Sequence, residues 1–168
     1  MEPRIPLSNY ITAEGYQVLA DELEYLWKVK RPEVTQAVSE AAAQGDRSEN
    51  AEYIYGKKQL RQIDGRLRFL SKKLEYLSVY DKIPKDQSRA GFGAWIKIED
   101  EEGAQRCFRL VGADESDPDQ GKLSINSPVA CALLNKQVDD ETQVELPDGA
   151  VTYYLLEISY TQNICNKT

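Results

Sequence analysis

Tyr16, Leu19, Leu23 and Leu26 recur at spacings of three, four and three, and Ile63, Leu67, Leu70, Leu74 and Leu77 at four, three, four and three. This is the seam spacing of helices that pack along one another. The two runs mirror each other: Tyr16 with Leu77, Leu19 with Leu74, Leu23 with Leu70, Leu26 with Leu67 and Lys30 with Ile63 each sum to 93 in residue number. The mirror predicts an antiparallel helical hairpin over residues 1–80 that folds back between Asp46 and Arg47. At about 1.5 Å per residue each arm would run roughly 50 Å. Pro32 is expected to kink or restart the first arm, because proline removes a helical hydrogen bond outside the first turn. Gly45 supplies backbone freedom for a sharp helix end, and Ser48 to Tyr53 should begin the return helix.

Beyond Leu77 the periodicity disappears, and "SVYDKIPKDQSRAG" gathers Pro84, Ser88 and Gly91, which predicts a linker over 81–91. Over 92–162 the period falls to two. "GAWIKIE" and "QRCFRLVG" read as strands joined across "DEEG", and "KLSI", "TQVEL" and "VTYYLLEISY" as three more. In "NSPVACALLNK", Ser127 is a candidate N-cap and Pro128 suits the first helical position. The expected fold is therefore α+β: a long antiparallel coiled-coil hairpin, then a small antiparallel sheet packed on one short helix.

Composition narrows the chemistry. The 168 residues contain no histidine, which removes the common zinc sites and every His-dependent acid/base pair. Cys107, Cys131 and Cys165 are too far apart for a metal knuckle, and their odd number argues against a disulfide framework; they read as small apolar fillers. No stretch approaches the ~18 apolar residues of a membrane span, and the first residues lack an apolar run behind a positive start, so the cytoplasm is the expected compartment.

Charge is unevenly spread. Residues 1–80 carry no net charge and residues 81–168 carry all of the −7. Yet between 57 and 73, Lys57, Lys58, Arg61, Arg66, Arg68, Lys72 and Lys73 face only Asp64. Such a stripe is either a solvated helix flank or a surface for a polyanion, and the shortage of acidic partners favours the second.

At the predicted fold-back, Asp46 and Glu49 are three residues apart, a spacing that brings two helical side chains within ~5 to 6 Å. They could share a divalent cation. Asp46-Arg47-Ser48-Glu49 also matches a capping box, and on spacing alone capping is the favoured reading. Two carboxylates are too few to hold Mg2+ unaided, since that ion keeps waters or borrows ligands. If they serve a metal, they complete a site belonging to a partner. Tyr53 and Tyr55 could stack on a base or simply pack.

The run "GDRSENAEYIYGKKQLRQIDGRLRFLSKKLE" resembles the bacterial transcript cleavage factors of the GreA/GreB family, and "GDRSENA" followed by "YGKK" leans to its GreB branch. The likeness continues through "FGAWIKIEDEEG", "FRLVGADE" and "INSPVACALLNKQVDDETQVELPDG" and leaves only the last few residues unmatched. The resemblance implies that the C-terminal domain is FKBP-like and docks on the rim of the secondary channel of RNA polymerase while the hairpin enters the channel. It places Asp46 and Glu49 as the catalytic tip acids, holding Mg2+ jointly with the polymerase, with Arg47, Ser48 and Asn50 as tip support. It implies that Lys57, Lys58, Arg61, Arg66 and Arg68 contact the extruded 3′ end of the nascent RNA, and that Asn126, Ser127 and Pro128 dock on the rim. The protein alone should be inert, with no small-molecule substrate and no tightly held metal. Gln59 and Gly65 stand where relatives often carry a basic residue, Asn126 where some carry aspartate, and Cys131 where arginine is frequent. Two other functions compete: a channel-binding regulator of the same fold that inhibits polymerase without cleavage, and a prolyl isomerase built on the C-terminal domain.

Overall fold

A computed structural model describes residues 9–45 and 49–166. The chain divides into two units, Tyr16–Leu77 and residues 1–15 together with 78–168.

The helical unit contains α1 (Ala13–Tyr25, which begins in the other unit), one π turn over Leu26–Lys30, α2 (Arg31–Ala42) and α3 (Ala51–Tyr76). Pro32 sits in the first turn of α2, and ahead of it the N–H of Arg31 reaches the carbonyl of Leu26 in an i to i+5 bond. Helical backbone angles persist through Tyr25, Lys30 and Arg31. Widening the turn lets the first arm pass its proline without breaking, and a new α-helix starts where the missing N–H is harmless. α2 ends at Ala42 and α3 starts at Ala51, symmetric about the fold-back point read from the sequence.

α2 and α3 run antiparallel around a thin core of Val34, Ile63 and Leu67, joined by Leu23, Leu26, Val38 and Leu60. Two ion pairs fix the register: Arg31 Nε to Asp64 Oδ1 at 2.8 Å, and Arg66 to Glu22 through Nε at 2.7 Å and Nη2 at 2.9 Å. Gly56 is buried against the other arm, where a Cβ would lie 2.6 Å from Val38 Cγ2.

The second unit is built on five strands, β3 (Trp95–Asp100), β4 (Gln105–Val111), β5 (Lys122–Ser124), β6 (Glu141–Leu146) and β7 (Gly149–Ser159), in the order β5-β4-β3-β7-β6. The five strands read from the alternation are all present. The sheet is mixed rather than purely antiparallel, since β5 pairs parallel to β4. Residues 113–120 form two 3₁₀ turns that carry the chain back along β4 instead of reversing it in a hairpin. α4 (Pro128–Leu133) starts at the expected Ser127 cap and buries Val129, Ala130 and Leu133. Ile96, Ile98, Leu110 and Leu155 are fully buried in the same core.

A further pair of two-residue strands, β1 (Tyr10–Ile11) and β2 (Ser78–Val79), runs parallel. Beside it Tyr10 stacks on Tyr80 at 4.7 Å, and both meet Phe92 edge-on. The segment expected as a linker is attached at its far end: Ala90 is buried and exchanges backbone hydrogen bonds with Lys136 and Asn135 at 2.8 Å each. Arg89 O accepts from Tyr160 Oη at 2.7 Å.

Candidate functional site

Each arm of the hairpin ends in its own way. α2 closes with a last α-type bond, Ala43 N to Ser39 O, and a tighter i to i+3 bond, Gln44 N to Ala41 O, both at 3.2 Å, and Gly45 follows with φ of +143°, where a side chain would be strained. α3 is capped by Asn50, whose Oδ1 accepts the N–H of Tyr53 at 3.1 Å. The same amide's Nδ2 donates to the carbonyl of Ala41 at 2.7 Å. One side chain therefore satisfies an open donor of the return helix and a terminal acceptor of the outgoing one.

This cap corrects the capping-box reading. Since Asn50 is the cap of α3 and Ala51 its first helical residue, Glu49 lies ahead of the helix and cannot be the N3 partner of an Asp46 cap. Glu49 likewise does not begin the return helix. Glu49 is exposed. Asp46, Arg47 and Ser48 lie outside the described residues, so the expected pairing of the two acids has no geometry here. Among the described residues no group of three or more acidic, histidine or cysteine side chains could hold a metal.

The basic stripe divides. Lys57, Lys58, Arg61 and Arg68 are exposed, and with Lys72 they have no ion-pair partner among the described residues. At 3.6 residues per turn Lys57, Arg61, Arg68 and Lys72 fall within an arc of about 60°, turned away from the buried Gly56, Ile63, Leu67 and Leu70. Arg66 is on another side of the helix. Its guanidinium is held in a fork by Glu22 and lies 5.2 Å from the centre of the Phe69 ring. That fork holds the Glu22 carboxyl below the usual carboxylate range and raises the Arg66 pKa. Asp64, the one acid of the stripe, is bound by Arg31. Its charge is directed to the other arm and does not neutralise the cations beside it. Gly65 faces open space, and Gln59 is half-buried between the arms.

In the sheet unit, Ser127 Oγ accepts the N–H of Ala130 at 3.2 Å, and the N–H of Asn126 donates to Ser124 Oγ at 3.1 Å. Asn126, Pro128 and Cys131 are exposed side by side at the start of α4. Cys131 is thus a surface residue and not a filler. Cys107 and Cys165 are disulfide-bonded with Cα atoms 5.3 Å apart, which overturns their reading as separate apolar fillers. The bond fastens the last turn (Ile164–Asn166), with Ile164 buried, to β4. The odd count concealed the pair, because the third cysteine is the free one.

Sequence reasoning also missed the ion pairs of Glu22 and Arg31 and the Ala41 end of the Asn50 bridge. An i,j pair between two helices leaves no local pattern, and the sum rule of the seam does not supply it either: Arg31 with Asp64 sums to 95 and Glu22 with Arg66 to 88.

Two family models match the chain: "Transcription elongation factor, N-terminal" over residues 9–79 and "Transcription elongation factor, GreA/GreB, C-term" over residues 85–160. The transcription elongation factor GreB of Yersinia pestis is 61% identical over 153 residues, covering 91% of this chain and 90% of its own length. GreB of Pseudomonas aeruginosa is 54% identical over 158 residues, 94% of each chain. Among solved structures, a prokaryotic transcription elongation factor GreA/GreB from Nitrosomonas europaea is 21% identical, covers 90% of this chain and 98% of its own, and superposes with a TM-score of 0.39.

Proposed function

The chain belongs to the GreA/GreB family of transcription elongation factors, and from that premise we propose that it stimulates RNA polymerase to cleave backtracked RNA by inserting its hairpin into the secondary channel. The observation that carries the reading is the Asn50 bridge. It joins the two arms and leaves Glu49 exposed just outside the helix, where a carboxylate can meet a site that belongs to another molecule.

Glu49 and Asp46 are the oxygen donors of this arrangement. Carboxylates suit Mg2+, and two of them fall short of the ligand set that ion needs, so they fit a cation shared with polymerase ligands. Bound there, that cation would supply Lewis-acid stabilisation of the attacked phosphate and a more acidic water. The contribution of this chain is placement: Gly45 turns the backbone, and Asn50 holds both helix ends, which limits the freedom lost when the acids engage. Glu52 in the first turn of α3 adds favourable charge at the helix N-terminus.

Lys57, Lys58, Arg61 and Arg68 give the extruded RNA a path along α3 through phosphate contacts. Arg66 serves the hairpin instead, through Glu22. The exposed Asn126 and Pro128, set by the Ser127 cap, form the rim-docking surface. The protein would work in the cytoplasm beside its polymerase, and no helix among the described residues is long and apolar enough to cross a membrane.

The test is a stalled, backtracked elongation complex supplied with Mg2+. The protein should shorten the RNA from its 3′ end, and Asp46→Asn with Glu49→Gln should abolish this without preventing polymerase binding. Cleavage retained by the double variant would overturn the assignment of the tip. Inhibition with no shortened RNA would point to the channel-binding inhibitor, and RNA cut without polymerase would contradict a shared site.

A further inference from the structure

Trp27 is the outstanding exposed aromatic of the first arm. It is 60% exposed although it sits within the π turn, one residue from the seam position Leu26. A hydrophobic side chain of this size is normally covered, and in this hairpin the two helices form the whole core. It stands at the edge of a groove between the arms with a volume of about 530 Å³. Leu23 and Leu67 form the apolar floor, and Arg68 and Lys72 line the opposite wall.

The charge of the groove is one-sided. Its one acid, Glu24, is paired with Lys28 at 2.6 Å, and Arg68 and Lys72 have no ion-pair partner among the described residues. Arg31, 5.8 Å from the Trp27 ring centre, is not one of these cations, since its charge is taken by Asp64. Arg68 and Lys72 are also the far end of the arc that begins at Lys57. The groove thus continues the basic stripe and adds what the stripe lacks, a flat aromatic face beside an apolar floor.

Cations that follow a backbone, with an aromatic face for the bases, are what sequence-independent binding of a single strand requires. We propose that this groove binds single-stranded RNA by stacking one base on Trp27 while Arg68 and Lys72 hold the adjacent phosphates. The inference rests on the reading of the α3 stripe as an RNA path and extends it to the other arm. From Asn50 to Arg68 the helix rises about 27 Å. Only RNA extruded well past the tip reaches Trp27, so the site would act on long extruded segments and leave short ones unaffected.

Binding is measured with the full chain and a fluorescein-labelled oligouridine of about ten nucleotides, a length within the reach of one such groove, at low salt. Trp27→Ala should weaken binding roughly 5- to 100-fold, the range of one lost base stack, and Trp27→Phe should restore most of it. Unchanged helical circular dichroism confirms that the hairpin persists. Equal affinity of Trp27→Ala and wild type, or no binding by the wild type, overturns the proposal.

In backtracked complexes Trp27→Ala should slow cleavage when about ten nucleotides are extruded and not when about two are. Equal slowing at both lengths also overturns it. If the wild type cleaves neither complex, the cleavage reading fails by itself, and the oligouridine comparison still decides the groove.

Discussion

Asn50 reaches across the end of the hairpin to Ala41: its Nδ2 donates to the Ala41 carbonyl at 2.7 Å while its Oδ1 caps α3. The two bonds also determine the amide's orientation, since reversal would set an oxygen against a carbonyl and a donor against an N–H. Asn50→Ala removes both and should cost about 2 kcal/mol, taking roughly 1 for the cap and 1 for the cross-arm bond. Asn50→Ser keeps a capping oxygen and should recover about half. Urea unfolding measures the difference, and equal midpoints for the serine and alanine variants would show that the cap carries nothing.

Two glycines of α3 should respond oppositely to alanine. At Gly65 nothing lies within 4 Å of the position an added methyl would take, so Gly65→Ala should stabilise by up to about 1 kcal/mol through helix propensity. At Gly56 the same methyl would lie 2.6 Å from Val38 Cγ2, and the branched valine is stiff at χ1 in a helix. Overpacking of about 1 to 3 kcal/mol should outweigh the propensity gain. Thermal unfolding of the two variants, shifted in the same direction, would contradict this.

How much of this could be read beforehand depends on the range of the interaction. The hairpin was legible because its seam repeats, and a repeat in two segments defines their pairing; the gap between Ala42 and Ala51 is centred where the sum of 93 predicts. The strands and the Ser127 cap were legible for the same local reason. At the tip, a single residue decided between alternatives: Asp46-x-x-Glu49 and Asn50-x-x-Tyr53 both offer a cap, and Asn50 gains the Ala41 carbonyl as well, a partner nine residues back. The two-residue strands β1 and β2 are too short to show a period, and the parallel course of β5 depends on 3₁₀ turns that carry no strand or helix signal. The division of the basic stripe was invisible because it is set by Glu22 and Arg31 on the other arm.

The Glu22–Arg66 fork gives the hairpin an acid limb. Arg66 lowers the Glu22 pKa from 4.5, so its stabilisation is fully present above that value and is lost as pH falls through the lower folded value. Both groups are partly exposed and screened, which keeps the contribution below about 1 kcal/mol. Glu22→Gln should therefore lose stability at pH 7 and converge with the wild type once the pH has fallen through the lowered folded value. A constant difference across the titration would show that the fork acts through packing alone.

Tyr160 gives the sheet unit an alkaline limb. Burial pushes its phenol up to about 12, aided by Tyr80 and Asp86, while its hydroxyl donates to the carbonyl of Arg89. A raised acid pKa favours the protonated folded form, so stability is intact below the ordinary value of 10 and declines between pH 10 and about 12. Tyr160→Phe should begin with lower stability at neutral pH and show a shallower alkaline decline. Parallel curves for the two proteins would mean that another group titrates there.

The Cys107–Cys165 bond closes a separation of 58 residues and holds the buried Ile164 beside β4. In denaturant, thiol titration should find one reactive group per chain, Cys131, and three after reduction. Breaking the bond should cost roughly 2 to 4 kcal/mol, seen as a lower unfolding midpoint of the sheet unit. Cys165→Ser should reproduce the loss and make the midpoint insensitive to reductant. Three reactive thiols before reduction would exclude the bond, and a Cys165→Ser midpoint equal to that of the oxidised wild type would show that the C-terminal turn is held by Ile164 alone.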